Sequence, residues 1–286
     1  MLDRLQPSVN ELGASAVPMV VARYLGASIR TSLEERGICY ADATGNLRVV
    51  LERPPLYLRD TGTDRDPWRG PGRPRETLRG APAARVVRAL VDFAPPLTVP
   101  EVVRRSGAST GATYRVIEFL EAEGVVDRER RGPVTAVAWR RLLERWSADY
   151  AFQRDNSVGA YLQPRGLPTV LDALRESREL RYAVTGSLAA ERLAAYAPPR
   201  LAMIYVDDLD QAAEQLGLRA VDSGANVLLA ATDYDVVFER CTQADRLTVA
   251  APSQVAVDLL TGPGRSASEA EALLDWMEAN ERAWRQ

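Results

Sequence analysis

The chain has 286 residues, enough for two or three domains, and its 46% hydrophobic and 26% charged content is that of a globular protein. It contains no His, and its 36 basic residues are all Arg, so Ser–His and Cys–His nucleophile pairs, imidazole metal ligands, the Walker lysine and Schiff bases are excluded. The net charge of −3 divides into +4 over residues 1–150 (23 Arg, 19 acids) and −7 over residues 151–286 (13 Arg, 20 acids), which hints at a polyanion-facing front and a different back. In chain order, "AVPMVVARYLGASIRTSLEERG" carries Val20, Tyr24, Ile29 and Leu33 at helical spacing, which predicts a helix ended by Gly37. "ICYADATGNLRVVLERPPLYLRD" predicts two strands around an Asp-Ala-Thr-Gly-Asn turn, with a further short strand after Pro54-Pro55. Thr61 to Gly80, rich in Gly, Pro and Arg, is a linker or irregular loop. Helical periodicity resumes in "APAARVVRALVDF", and "RRLLERWSADYAF" predicts another helix.

Beyond Leu167, helices and strands alternate. "LPTVLDALRES", "SLAAERLAAY" and "LDQAAEQLGL" predict helices, while "RYAVTG", "RLAMIYVDD", "NVLLAATD" and "LTVAA" predict strands. Two helices close the chain. The last is expected to start with a capping box, Ser266 with Glu269, and carries Leu273, Met277, Asn280 and Trp284 along one side.

The stretch from Leu97 to Trp139 has the pattern of a winged helix-turn-helix. Thr98 stands as N-cap of a short helix with Pro100 in its first turn, Gly107 lies in a tight turn, and Ser109 caps a second helix. The buried side of that second helix is expected to be Thr113, Val116, Ile117 and Leu120, with Gly124 ending it. "VVDRERRGPVTAVAW" then predicts two strands joined at Arg131-Gly132-Pro133, the wing. In such a module the N-terminal residues of the second helix meet the base edges in the major groove. The DNA-binding candidates are therefore Ser109, Thr110, Gly111, Ala112, Tyr114 and Arg115 in an exposed first turn and a half, with Arg128, Arg130 and Arg131 in the wing. Small residues at 111 and 112 permit close approach, and Arg115 suits either a guanine edge or a phosphate. In the linker, "GPGRPRE" resembles the core of an AT-hook, which adds Arg73 and Arg75 as minor-groove candidates.

Residues 183–208 resemble the signature of the nucleotidyltransferase fold, with Gly186-Ser187 ending one strand and opening a helix. The metal-binding strand of that signature reads Ala202, Met203, Ile204, Tyr205 here, without an acid. Asp207 and Asp208 are adjacent and so point to opposite faces of a strand, whereas a two-carboxylate metal site needs both on one face. A non-catalytic copy of the fold is the expectation, with no cofactor and no metal. The first segment resembles a restriction-endonuclease core, but that site needs a Lys; Asp42 reads as a turn acid and Glu52 as a surface residue.

Together, "GICYADATGN", the central winged helix, "RLLERWSADY", "TGSLAAERLA" and "APSQVAVDLLTGPGRSASEAEALL" are similar to the AbiEi-type family of transcriptional regulators and antitoxins of type IV toxin–antitoxin systems. The resemblance implies a DNA-binding repressor with a nucleotidyltransferase-like, non-catalytic C-terminal domain, and a cognate toxin as partner; the long Arg/Pro/Gly linker departs from the family pattern.

The resulting expectation is a mixed α/β (α+β) chain of three parts. Residues 1–80 form an α/β module, 81–145 the winged helix and 146–286 the nucleotidyltransferase-like domain. Its function is that of a sequence-specific regulator of double-stranded DNA, of repressor or antitoxin type. The rival readings are a Mg-dependent nucleotidyltransferase or nuclease using Asp207, Asp208 or Asp42, and a protein-interaction scaffold with a vestigial winged helix. A homodimer suits paired half-sites. No apolar run approaches the ~18 residues of a membrane span, no secretory signal pattern opens the chain, and Cys39 and Cys241 make no disulfide framework. A cytoplasmic protein without membrane association is expected.

Overall fold

The computed structural model describes residues 17–64, 66–68, 77–129, 132–232 and 235–286. It is a mixed α/β protein whose described strands form sheets of four, seven and two strands. The chain divides into two units, Met1–Glu76 with Ile117–Ala136, and Thr77–Val116 with Val137–Gln286.

In the first unit, strand β1 (Met19–Ala22), helix α1 (Ala27–Glu35) and strands β2 (Cys39–Asp42), β3 (Leu47–Leu51) and β4 (Leu56–Asp60) follow in order. The sheet order is β1-β2-β3-β4, with β1 parallel to β2 and the remaining pairs antiparallel. Its core is Leu25, Ile29, Leu33, Ile38 and Tyr40, with Val20 and Ala22 packed against it. This corrects the single helix expected across Val20 to Leu33. Met19 to Ala22 alternates exposed and half-buried positions along an extended chain, and Gly26 is extended, at φ −60° and ψ 156°, before the helix begins. The pairing of β1 with β2 overrides the helical spacing of the sequence.

The β2–β3 turn is built on Asp42, as the turn-acid reading anticipates. One carboxylate oxygen accepts from the Thr44 N–H (2.8 Å), the Thr44 hydroxyl (2.6 Å) and the Asn46 N–H (3.1 Å). The other accepts from the Leu25 N–H (3.0 Å) and the Asn46 amide (2.9 Å). This arrangement is an Asx turn with an added tie to the residue preceding α1.

The second unit contains helices α2 (Ala81–Asp92), α3 (Val99–Ser106) and α5 (Trp139–Ser147). Helix α4 (Thr110–Ala122) crosses the division between the units, after Val116. Strands β5 (Val126–Arg128) and β6 (Val134–Val137), which fall in the first unit apart from Val137, form the two-stranded sheet. The large sheet has the order β10-β7-β11-β9-β8-β13-β12, from β7 (Ser157–Leu162), β8 (Tyr182–Thr185), β9 (Ala202–Val206), β10 (Arg219–Ala220), β11 (Val227–Ala231), β12 (Thr242–Ala244) and β13 (Leu247–Val249). Only β9–β11 and β8–β13 are parallel pairs. Helices α6 (Leu167–Glu176), α7 (Gly186–Ala190), α8 (Leu209–Gln215), α9 (Pro252–Leu260), α10 (Ser266–Ala279) and α11 (Glu281–Trp284) complete the unit. Every residue of β8 and β9 is buried, as for central strands covered on both faces.

Two local expectations fail here. The helix predicted over "SLAAERLAAY" stops at Ala190, where Leu193 and Ala194 turn back onto the Ala190 carbonyl at 2.9 and 2.8 Å. The capping box expected at Ser266 and Glu269 does not form. Arg265 is the N-cap, the Ser266 hydroxyl donates to the Pro263 carbonyl at 2.8 Å, and Glu269 accepts from Arg265 Nε at 2.7 Å and from the Ser187 hydroxyl.

A buried polar network joins α2 to the C-terminal part of this unit. The Arg88 guanidinium donates to Asp92 (3.1 Å), Gln254 Oε1 (3.1 Å) and the carbonyls of Val236 and Glu239 (3.0 Å each). Gln254 passes the network to Asp258 at 3.0 Å, which also accepts from the hydroxyls of Thr185 (2.6 Å) and Tyr205 (2.8 Å). Arg88, Gln254 and Asp258 thus each meet partners inside this network, which a buried charge requires.

Candidate nucleic-acid interface

Helix α3 starts where the sequence places it. The Thr98 hydroxyl accepts from the Glu101 N–H at 3.3 Å, and Glu101 returns a carboxylate to the Thr98 N–H at 2.8 Å, a complete capping box. Gly107 ends the helix at φ +61°, a left-handed conformation that glycine adopts without steric cost. Ser109 then caps α4, its hydroxyl accepting from the Ala112 N–H at 3.3 Å. Thr113, Val116, Ile117 and Leu120 are all fully buried, as expected.

With this phase, Ser109, Thr110, Gly111, Tyr114 and Arg115 are exposed. Arg115 forms no ion pair among the described residues, so its guanidinium is available to a ligand. Glu118 is exposed one turn further along and confines the cation-favouring part of the helix to its start. Ala112 is a correction. It was expected on the exposed turn, but it is only 5% exposed, because position 112 lies one helical turn before the buried Val116. Gly111 alone supplies the small outer residue.

The sequence reading overlooks the end of α3. Arg104 is exposed there, 4.0 Å from Glu101, and the Arg105 guanidinium lies 4.0 Å from the Phe93 ring centroid. The Arg-Arg pair directly before the turn glycine is the signal that could have marked them.

In the other unit, the Glu129 N–H donates to the Pro133 carbonyl at 3.1 Å and the Thr135 hydroxyl to the Asp127 carbonyl at 3.2 Å, which ties β5 to β6. Arg128 is a second correction. It closes β5 instead of standing at the tip, its side chain is 15% exposed, and it pairs with Glu121 of α4 at 3.0 Å. It fastens the hairpin to the helix and is not offered outward. Arg130 and Arg131 lie outside the described residues, as do Arg73 and Arg75 of the linker.

The Gly186-Ser187 corner has structural tasks. Gly186 has φ +64°, and a Cβ there would meet Met203 Sδ at 2.7 Å, so close packing against β9 excludes a side chain. The Ser187 hydroxyl is held by Glu269. At the end of β9, Asp207 pairs with Arg181 at 3.3 Å, while Asp208 caps α8 by accepting from the Gln211 N–H at 2.8 Å. Among the described residues, no three His, Cys, Asp or Glu side chains converge as a metal-holding group. Among the described residues, no helix is long and apolar enough to cross a membrane.

A family model described as "Transcriptional regulator, AbiEi antitoxin, Type IV TA system" matches residues 136–278. Comparison with curated proteins gives no match.

Proposed function

We propose, on the premise that this chain belongs to the AbiEi family of type IV toxin–antitoxin transcriptional regulators, that it is a repressor that reads double-stranded DNA by sequence. Residues 81–145 act as a winged helix-turn-helix with α4 as the recognition helix. The observation that carries this reading is the outer face of the first turns of α4, with Thr110, Gly111, Tyr114 and Arg115, which has no ion pair among the described residues, exposed beyond the Ser109 cap. A short face with Gly111 as its small residue and a cation that has no ion pair among the described residues suits entry into a major groove. The wing arginines Arg130 and Arg131, and Arg73 with Arg75 in the linker, are assigned to backbone and minor-groove contacts. A cognate toxin and a second copy of the chain are the protein partners, the compartment is the cytoplasm, and the C-terminal domain is a nucleotidyltransferase-like fold without transferase activity.

The test is fluorescence anisotropy on duplexes selected from a random pool, at several salt concentrations. If Arg115 reads a guanine edge, Arg115→Ala costs roughly 1–3 kcal/mol and relaxes preference at one base position. A uniform loss on all duplexes, with the log-affinity versus log-salt slope flattened by about 1, makes it a phosphate contact instead. A wild-type protein that selects no sequence from the pool ends the regulator reading.

A further inference from the structure

We propose that the second unit carries a ligand site of its own, an arginine-lined cavity for a small organic anion with a flat apolar body. The cavity has a volume of about 370 Å³ and is lined by Arg192, Arg240, Arg282 and Arg285, with Trp276 and Trp284 among its apolar walls. No Asp or Glu is among its lining residues, although residues 151–286 carry 20 acids against 13 arginines. Arg192 pairs with Asp245, Arg285 with Glu281, and Arg240 lies 3.8 Å from Asp92, whereas Arg282 has no ion pair among the described residues, so the lining offers a bound anion a cationic wall with one uncommitted guanidinium.

Arg285 and the half-buried Arg240 each keep one guanidinium N–H without a hydrogen-bond acceptor among the described residues. Arg285 has a side chain 5% exposed, pairs with Glu281 and reaches the Leu90 carbonyl at 3.4 Å, yet its Nε donates to no acceptor among the described residues. Arg240 donates to the carbonyls of Asp92 (3.0 Å) and Trp284 (3.3 Å), and its buried Nε likewise has no hydrogen-bond acceptor. Burial also lowers the pKa of Arg240, despite the opposing pull of Asp92. At this rim Arg240 holds a positive φ of 58°, a conformation that is costly for a non-glycine residue and persists where the surroundings enforce it.

The walls select the ligand. Guanidinium groups bind carboxylate and phosphate in paired, planar geometry. Trp284 is fixed, with its indole N–H donated to the Met277 carbonyl at 2.8 Å, and Trp276 is half-buried, so an aromatic body has a face to lie on. The volume lies near the lower end of the range of small-molecule pockets, roughly 300–1,000 Å³, which suits a nucleoside monophosphate or an aromatic acid.

Isothermal titration calorimetry of the full chain, without DNA, tests the site against the four common ribonucleoside monophosphates, benzoate and salicylate, with neutral adenosine as control. At least one anion is expected to bind saturably at one site per chain, and adenosine at least tenfold more weakly than adenosine monophosphate. Arg282→Gln is the informative variant, because Arg282 is exposed and holds no partner among the described residues; it is expected to weaken binding about fivefold or more. Arg178→Gln removes an equally exposed arginine elsewhere and should leave affinity unchanged. Absence of saturable binding, equal affinity for adenosine and adenosine monophosphate, or equal losses in the two variants would each overturn the proposal. DNA binding is measured separately, so failure here leaves the regulator reading standing.

Discussion

A carboxylate that accepts five hydrogen bonds must be ionised for all of them to form, and Asp42 is such a group. Burial pushes its carboxyl up, but the bonds from Thr44, Asn46 and Leu25 outweigh that effect and hold it at about 2, below the ordinary 3.8. A depressed folded-state pKa contributes stability that is present above the unfolded value and is lost as pH falls through the folded one. Urea denaturation of the wild type should therefore show a loss of stability below about pH 4 that Asp42→Asn lacks, the variant being less stable at neutral pH. Identical acid slopes in the two proteins would contradict this. At this same scale the sequence is a partial guide. An Asp-Ala-Thr-Gly-Asn run marks a turn because its bonds are local. The burial of Ala112 was legible, since it stands one helical turn before Val116 on the side already read as buried, whereas the fate of Arg128 was not, since it depends on a glutamate seven residues earlier on another element.

Elements defined by local chemistry were readable, and those defined by distant partners were not. The Thr98–Glu101 box, Gly107 and the Ser109 cap fall within a dozen residues, so α3, the turn and the start of α4 stand where the pattern puts them. Strand β1 is four residues long and is a strand because β2 lies beside it. Strand β7, absent from the sequence reading, pairs with β11 some seventy residues later. The Ser266–Glu269 motif fails because Glu269 is engaged by Arg265 and Ser187. Asp258 on α9 shows how a long-range network resets a residue's chemistry. Burial raises its carboxyl to about 6, while hydrogen bonds from Thr185, Tyr205, Gln254 and Tyr150 pull the other way. A folded-state pKa above the unfolded 3.8 contributes stability that is complete below that value and is lost as pH rises through about 6. The wild type should gain stability between pH 7 and pH 5, and Asp258→Asn should abolish that gain. A variant that keeps the wild-type slope in this window places the titration elsewhere.

Charge is divided along the chain, +4 over residues 1–150 against −7 over residues 151–286. At the scale of the whole molecule, the acidic C-terminal half carries the carboxylates beside β9 in structural roles. Strand β9, Ala202–Val206, is buried along its length and carries no carboxylate. The two acids that follow it are already engaged: Asp207 faces Arg181, and Asp208 is the N-cap of α8. Adjacent residues of an extended chain project to opposite sides, so the pair does not present two oxygens to one cation. Incubation with labelled nucleoside triphosphates, Mg²⁺ or Mn²⁺, and RNA or protein acceptors is therefore expected to transfer no label. The variants give the result its meaning. Loss of the Asp208 cap in Asp208→Ala should cost about 1 kcal/mol of stability by the usual weight of an N-cap, whereas Asp207→Ala, at an exposed ion pair, should be nearly silent. Label transfer by the wild type that either substitution abolishes would show that these carboxylates leave their structural partners to hold a metal, and would make the protein an enzyme.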